Sequence, residues 1–184
     1  MSRINRKNIT IIDGYNVINA WDELKKYIGT DLEHARDLLI DKVVNYKYLT
    51  GGKVILVFDA NYVKDNKGTE LDLKGIKVVY TREKINADSY IEETVKRLAM
   101  DKRNVIKVVT YDYAEQQNIL GSGAIRVTPE EFKYRLIDTE RRLKLIYVEE
   151  ENKKSKENLI EDMIDDEIIK KIKSFKASQN LTKQ

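Results

Sequence analysis

Acidic residues recur in this sequence at the ends of short apolar runs. Asp13, Asp59 and Asp112 each close or directly follow such a run, and Asp88 lies in the first turn of a helix predicted after another. Carboxylates gathered in one place repel one another and raise each other's pKa unless a divalent cation neutralises them. Oxygen ligands select Mg²⁺ or Mn²⁺ over softer metals. The pattern therefore predicts a Mg²⁺ or Mn²⁺ site that could activate water for hydrolysis.

The residue types that are missing narrow the chemistry further. The 184 residues include no cysteine and a single histidine, His34. The lack of cysteine excludes disulfides, thiolate zinc sites and cysteine nucleophiles, and it fits a reducing compartment. One imidazole excludes paired-histidine catalysis and multi-histidine metal sites. Carboxylates are therefore the catalytic groups that the sequence offers.

Each acid also has an ordinary structural explanation, which the sequence leaves open. Asp13 could belong to a turn, Asp59 could cap a loop, and Asp88 could favour the positive end of a helix dipole. Asp112 could be a helix N-cap with Glu115 at the third helical position. Recurrence at one edge of the predicted sheet favours a shared site, because independent capping roles would not require it.

Glu92 follows Asp88 by one helical turn, so both side chains are predicted on the same helix face. Two like charges at this spacing are mildly destabilising in an isolated helix. A bound cation or solvent would relieve the repulsion, and so would an ion pair between Glu92 and Lys96. The sequence leaves these possibilities open.

The elements that must position these residues follow from local patterns. Four β-branched, apolar runs predict strands buried on both faces of a parallel sheet. These runs are Ile9–Asp13, Lys53–Asp59, Ile76–Tyr80 and Val105–Thr110. Helical patterns alternate with them, which predicts right-handed crossovers and a three-layer α/β domain with a central parallel sheet. Ligands bind beyond the carboxyl ends of the strands in such sheets, which is where the acids are predicted.

Helix starts are marked by capping residues. Thr30 and Glu33 form the pattern of a capping box for a helix that Gly51 and Gly52 should end. Asn86 is predicted to cap a second helix, and Asp112 a short third one. The fourth helix is predicted to begin at 128–131, where an N-cap threonine, a proline and a returning glutamate follow one another.

The composition changes after Val148. Residues 149–158 read EEENKKSKEN, which predicts a charged linker and places the end of the main domain at residue 148. The remainder, 149–184, is predicted to contain a C-terminal amphipathic helix, because isoleucine recurs every four residues from Ile160 to Ile172. That helix could pack on the domain or bind a partner.

Charge and hydropathy limit the partners. The 34 basic residues nearly balance the 31 acidic ones, so a nucleic-acid surface must be a local patch. The apolar runs have strand length, and the amino terminus lacks the apolar core of a signal peptide, so we expect a cytoplasmic protein without a membrane partner. Gly121 and Gly123 lack the third glycine of a dinucleotide-binding loop, so no nucleotide cofactor is expected.

Four segments in order resemble one protein family. They are DGYN at 13–16, VFDA at 57–60, ADSYIE at 87–92, and TYDYAEQ at 110–116 followed by GSGAIRVTPEE at 121–131. Together they resemble the NYN domain, in its YacP-like branch of bacterial ribonucleases, within the larger PIN-like nuclease fold. The resemblance covers roughly residues 9–148. It implies a metal-dependent endoribonuclease that acts on RNA, with messenger RNA on translating ribosomes as the substrate associated with this branch.

The resemblance also implies roles for individual residues. Asp13, Asp88 and Asp112 correspond to the metal-binding acids, and Asn16 and Glu92 to further residues of the catalytic site. Three arginines, whose ordinary explanation is surface or packing charge, match positions that are basic in relatives and imply RNA phosphate contacts. These are Arg36, Arg82 and Arg126.

The chain departs from the family pattern at two positions. Tyr111 stands where relatives usually carry serine, and Asn61 stands where they often carry histidine. A phenol cannot occupy the place of a serine hydroxyl, so the groups that orient the metal ligands differ here. Tyr111 and Tyr15 are instead predicted to stack on RNA bases.

These residues lead to a mechanistic hypothesis. Asp13, Asp88 and Asp112 would hold one or two Mg²⁺ or Mn²⁺ ions, while Glu92 and Asn16 orient the attacking water. In-line attack on phosphorus would leave 5′-phosphate and 3′-hydroxyl ends. The alternative is an RNA-binding or ribosome-binding adaptor with the same fold and little catalytic power, which would show no metal-dependent cleavage.

Overall fold

The computed structural model of the chain describes residues 5–59, 68–82, 85–111, 121 and 123–163, without the side chains of residues 143 and 155–163. Within this part of the chain there are six strands and five helices. The strands are β1 (Lys7–Asp13), β2 (Lys53–Phe58), β3 (Thr69–Leu73), β4 (Ile76–Tyr80), β5 (Asn104–Val109) and β6 (Ile125–Val127). The helices are α1 (Gly14–Ala20), α2 (Asp22–Lys25), α3 (Leu32–Thr50), α4 (Ala87–Ala99) and α5 (Pro129–Met163).

The strands form one sheet in the order β3-β4-β2-β1-β5-β6. β4, β2, β1, β5 and β6 run parallel to one another, and β3, at one edge, pairs antiparallel with β4. The four runs predicted as strands are β1, β2, β4 and β5. They lie next to one another in the order β4-β2-β1-β5 and are parallel, so the predicted parallel sheet is confirmed. The two edge strands were not predicted. Every residue of β3 is exposed, and β6 has three residues with only Val127 buried, so neither has an apolar run.

Helices cover both faces of the sheet, as predicted. On one face, α1, α2, α3 and the first turns of α5 pack on the sheet, with Trp21, Leu39 and Phe132 completely or almost completely buried. On the other face, α4 packs through Ile91 and Val95. Alternate residues of β1 enter the two cores, so the central strand is buried on both sides. This burial fixes where the carboxyl end of β1 lies.

Helix boundaries largely follow the capping pattern. Asn86 caps α4 by accepting from the amide of Ser89, and α5 begins with a complete capping box, in which Thr128 and Glu131 bond reciprocally at 2.9 and 3.2 Å. The start of α3 was predicted one residue too early. Asp31 is the N-cap and accepts from the amide of His34, while the Thr30 hydroxyl donates to a carbonyl before the helix. Carboxylate and hydroxyl compete for the same amides there, and the sequence does not rank them.

The predicted charged linker at 149–158 is helical, because α5 runs without a break to Met163. Glutamate and lysine are good helix formers, the segment has no glycine or proline, and opposite charges recur at a spacing of four residues. The chain divides into two compact units between Glu140 and Arg141, within α5, rather than at residue 148. The described residues of the second unit, 141–163, are helical; the predicted C-terminal helix beyond them lies outside the described residues. None of the described helices has the length and hydrophobicity that crossing a bilayer requires.

Candidate active site

Asp13 lies at the junction of the central strand β1 and the helix α1. Its side chain is 3% exposed. It is the N-cap of α1: Oδ1 accepts from the backbone amide of Asn16 at 3.0 Å, and Oδ2 accepts from the Asn16 side-chain Nδ2 at 2.5 Å. The sequence left open a turn at Asp13, and the structure has a helix start there, which was not predicted. A carboxylate that caps a helix at the carboxyl edge of the sheet is also held in one orientation, as a metal ligand must be.

The pKa of Asp13 is raised from 3.8 to about 6. Burial is the main cause, since it disfavours the charged carboxylate. The hydrogen bonds from Asn16 act in the opposite direction, and the negative charge of Asp88 raises the pKa further. Asp88 is thus close enough to act electrostatically on Asp13, although one follows β1 and the other lies in α4. A cation between them would stabilise both carboxylates.

Asp88 is half-buried in the first turn of α4. Two side chains accept hydrogen bonds from backbone amides at the start of this helix. Asn86 is its N-cap, and Asp59 Oδ2 accepts from the backbone amide of Ala87 at 3.3 Å. Asp59 therefore joins the end of β2 to the helix that carries Asp88. The sequence offered Asp59 as the cap of the following loop or as a ligand, and its bond to the start of α4 was not predicted.

Asn16 connects Asp13 to the end of β5. Its side-chain Oδ1 accepts from the backbone amide of Tyr111 at 3.2 Å, while its Nδ2 donates to Asp13. One amide group thus bridges two neighbouring strand ends. Tyr111 directly precedes Asp112, and the third predicted metal ligand, Asp112, lies outside the described residues. Among the residues that the structure does describe, no three carboxylate or imidazole groups come together as a metal site.

Glu92 is half-buried on α4 and accepts from Lys96 Nζ at 2.8 Å, an ion pair at a spacing of four residues. This is the arrangement that the sequence left open beside a catalytic role. The charge of Lys96 offsets that of Glu92, so no metal is needed to account for this acid next to Asp88.

The predicted RNA-binding residues fall into two groups. Arg82, Arg126 and Tyr111 are exposed, and the Tyr111 ring is 60% accessible. Arg36 is half-buried and donates from Nη1 to the Tyr15 hydroxyl at 3.0 Å. Exposed guanidinium groups and an exposed ring are available to a polyanion.

The stacking role predicted for Tyr15 needs correction. Its ring is 7% exposed and packs edge-on against Phe58, with 5.3 Å between ring centroids. A ring enclosed in this way cannot stack on a base. The prediction was wrong because tyrosine occurs both in protein cores and on surfaces, and the sequence does not distinguish the two. Here the apolar ring of Tyr15 is buried and its hydroxyl accepts from Arg36.

Gly14 is a site residue that the motif contained but sequence reasoning did not single out. A Cβ atom at this position would lie 2.2 Å from Cε1 of Phe58. Only glycine therefore lets the start of α1 pass so close to the end of β2. The position of glycine directly after the N-cap aspartate is the signal that could have identified it, since helix starts seldom require glycine there.

Oxygen donors on adjoining elements fit the predicted Mg²⁺ or Mn²⁺. Asp13 supplies a buried carboxylate whose raised pKa shows that its charge lacks full compensation, and Asp88 supplies a second one nearby. Hard divalent cations prefer such ligands. The donor set therefore suits the predicted metal, with the described residues providing two of its three carboxylates.

Comparison with known proteins places the chain in a family. The YacP-like NYN domain model matches residues 10–177. The YacP protein of Bacillus subtilis is 38% identical over 139 residues, which cover 74% of this chain and 79% of that protein. The crystal structure of Rae1 (YacP) from Bacillus subtilis is similar with a TM-score of 0.70 at 32% identity, covering 95% of this chain and 97% of that one. A tryptophan-to-leucine variant of Rae1 gives a TM-score of 0.64 at 36% identity, covering 74% and 79%. The chain therefore belongs to the YacP-like NYN domain family, an RNA-related family with a nuclease-like fold.

Proposed function

We propose that the protein is a Mg²⁺- or Mn²⁺-dependent endoribonuclease that cleaves single-stranded RNA, with messenger RNA as its substrate and the ribosome as the place where the message is presented. The observation that carries the proposal is the buried Asp13 carboxylate, held at the carboxyl edge of the sheet beside Asp88. Burying an uncompensated carboxylate costs stability. Binding of a cation that takes part in catalysis would offset that cost.

The proposed metal ligands are Asp13, Asp88 and Asp112. A bound Mg²⁺ or Mn²⁺ would lower the pKa of water and neutralise charge on the phosphate. Asn16 positions the Asp13 carboxylate through two hydrogen bonds, so the ligand does not need to reorient when RNA binds. Glu92 would orient the attacking water once its ion pair with Lys96 opens in the complex with RNA. Cleavage by water would leave 5′-phosphate and 3′-hydroxyl ends.

The cationic groups suit a single strand of RNA. Arg82 and Arg126 lie at or near the carboxyl ends of β4 and β6, the same edge of the sheet as Asp13. Arg36 lies on α3, and the Tyr15 hydroxyl at the start of α1 holds its guanidinium group. Guanidinium groups at this edge would bind phosphates on both sides of the scissile bond. The nearly balanced total charge requires this local arrangement.

Cleavage of a defined RNA tests the proposal. An end-labelled, unstructured RNA is incubated with the full chain in EDTA, Mg²⁺ or Mn²⁺, and the new ends are identified by their susceptibility to a 5′-phosphate-dependent exonuclease. We expect metal-dependent cuts with 5′-phosphate ends, and their loss in Asp88→Asn. Asp41→Asn is the matched control, because Asp41 is exposed on α3 and pairs with Lys74.

The same pair of variants in a translating extract tests the substrate. Wild-type protein should generate new messenger RNA ends that Asp88→Asn does not. Cleavage in the extract but not of the purified RNA would indicate that the ribosome must present the message. If neither reaction yields metal-dependent ends that Asp88→Asn abolishes, the nuclease proposal is wrong, and RNA binding without cleavage would support the adaptor.

A further inference from the structure

A pocket of about 410 Å³ lies along α1, and Asn16, which holds Asp13, is part of its lining. Its described lining consists of Asn16, Asn19 and Ala20 of α1, Tyr111 after β5, and Glu130 in the first turn of α5. A pocket of this size has room for a nucleobase. Asn16 belongs both to this pocket and to the hydrogen bonds that hold Asp13, so a group bound here lies beside the proposed catalytic carboxylate.

From this pocket we infer a guanine-binding subsite next to the scissile phosphate, in which Tyr111 stacks on the base and Glu130 reads its Watson–Crick edge. The inference rests on the proposed function in taking single-stranded RNA as the ligand. It adds a base preference, which the family resemblance does not supply. It also assigns roles in RNA recognition to Glu130 and Asn19.

Tyr111 is suited to stacking because its backbone is fixed while its ring is open. The backbone amide donates to Asn16 Oδ1 at 3.2 Å, and the residue is 60% exposed. Large exposed rings normally cost a protein solubility, and stacking on an unpaired base is a common use for them in RNA-binding proteins. The pocket beside the ring supplies room for the base.

Glu130 is held in place by the packing of its neighbours. The indole Nε1 of Trp21 donates to the carbonyl oxygen of Pro129 at 2.9 Å, and Trp21 stacks with Phe132, with ring centroids 6.1 Å apart. The capping box of α5 uses Glu131 rather than Glu130. Glu130 therefore lies on a rigid helix start with its carboxylate exposed.

The Glu130 carboxylate offers the pocket two acceptor oxygens. A carboxylate accepts hydrogen bonds and cannot donate while ionised. Asn19 Nδ2 uses one of its two N–H groups to donate to the Tyr15 carbonyl at 2.8 Å, so Asn19 can offer a ligand its Oδ1 acceptor and one remaining donor. Guanine is the base whose Watson–Crick edge carries two adjacent N–H donors, at N1 and N2, which match the two oxygens of a carboxylate. Adenine and cytosine place an acceptor nitrogen beside their amino group, and uracil has one N–H between two carbonyls.

Binding measured without metal tests the subsite separately from catalysis. Fluorescein-labelled pentanucleotides UUGUU, UUIUU (with inosine, which lacks the N2 amino group), UUAUU and UUUUU are titrated with the full chain in EDTA. We expect UUGUU to bind about tenfold more tightly than the others, as expected for a bidentate base contact. Glu130→Gln should reduce this preference to within twofold, and Tyr111→Ala should weaken binding of every pentanucleotide about tenfold through lost stacking.

Glu33→Gln provides the matched control. Glu33 is exposed at the second position of α3, as Glu130 is at the second position of α5, so the two variants make the same charge change at the same kind of helix start. The control should retain the full guanine preference. Equal binding of UUGUU and UUIUU, an undiminished preference in Glu130→Gln, or no detectable binding of any pentanucleotide would overturn the subsite. Guanine-selective binding without metal-dependent cleavage would support the subsite and contradict the nuclease proposal. Metal-dependent cleavage without guanine-selective binding would support the nuclease proposal and contradict the subsite.

Discussion

Asn16 donates two hydrogen bonds to Asp13, one to each carboxylate oxygen, at 3.0 Å from its backbone amide and 2.5 Å from its side chain. The first bond is an ordinary helix cap. The second requires an amide side chain three residues after the aspartate, which the DGYN motif provides. The carboxylate is therefore fixed in orientation by the same turn that begins α1. A ligand fixed in this way avoids the entropy cost of ordering a free side chain when metal binds.

Removing the Asn16 side chain should weaken metal binding. In Asn16→Ala the Asp13 carboxylate loses the hydrogen bond from Asn16 Nδ2, so its pKa rises further above the ordinary value and a larger fraction is protonated. We expect the affinity for Mn²⁺ to fall about 10-fold to 100-fold, as for other groups that orient a metal ligand. Isothermal titration with Mn²⁺ measures this. Asn45→Ala, at an exposed position of α3, should bind Mn²⁺ like wild type. Equal affinities for both variants would contradict the role of Asn16.

The electrostatic coupling of Asp13 and Asp88 can be measured directly. Asp88 raises the pKa of Asp13, so Asp88→Asn should lower it below the value of about 6. The carboxyl carbon of Asp13 is followed by NMR as pH is varied in EDTA. Asp41→Asn, which removes an exposed and distant charge, should leave the titration unchanged. An unchanged Asp13 midpoint in Asp88→Asn would show that the two acids lie too far apart to share a metal.

Metal-free stability should depend on pH through Asp13. Its folded-state pKa is raised from 3.8 to about 6, so folding is favoured while the group is protonated and loses this contribution as pH rises through 6. A shift of this size corresponds to about 3 kcal/mol once Asp13 is ionised in both states. Asp13→Asn should therefore be more stable than wild type by about 1–3 kcal/mol at pH above 7 in EDTA. The difference should vanish near pH 4, where both folded proteins are uncharged at this position.

Urea unfolding with and without Mn²⁺ completes that test. Saturating Mn²⁺ should stabilise wild type and leave Asp13→Asn unaffected, because a ligand stabilises only the state that binds it. A variant less stable than wild type at both pH values would mean that the cap, rather than the buried charge, dominates at Asp13.

The positions of the acids could be predicted because they depend on topology. Apolar runs identify the buried strands, crossover handedness brings their carboxyl ends to one edge, and Asp13 and Asp88 follow from that. For Glu92 the sequence predicted either a role at the metal site or an ion pair with Lys96, because Lys96 follows it by one helical turn. These inferences use only sequence spacing and the sign of charges.

Other features depend on three-dimensional packing that spacing does not encode. β3 has no buried residue, so its pairing with β4 has no apolar signature. The burial of Tyr15 depends on Phe58, which is 43 positions away by their numbers in the chain. The pocket beside Tyr111 brings together residues of α1 and α5, and Trp21, directly after α1, is hydrogen-bonded to Pro129 at the start of α5. Long-range contacts of this kind decide which tyrosine is enclosed and which is exposed.

The contact between Gly14 and Phe58 gives a last prediction. In Gly14→Ala the new methyl group would lie 2.2 Å from the Phe58 ring, so either the ring or the start of α1 must move. Overpacking of this kind costs about 1–3 kcal/mol, and a shift of α1 would displace the Asp13–Asn16 hydrogen bonds. We therefore expect a lower free energy of unfolding together with weaker Mn²⁺ binding. Gly121→Ala, where a Cβ meets nothing within 4 Å, should lower neither. Adding Phe58→Leu to Gly14→Ala should recover part of both losses, because a smaller side chain makes room for the methyl group; failure of the double variant to recover Mn²⁺ affinity would show that Gly14 is required for another reason.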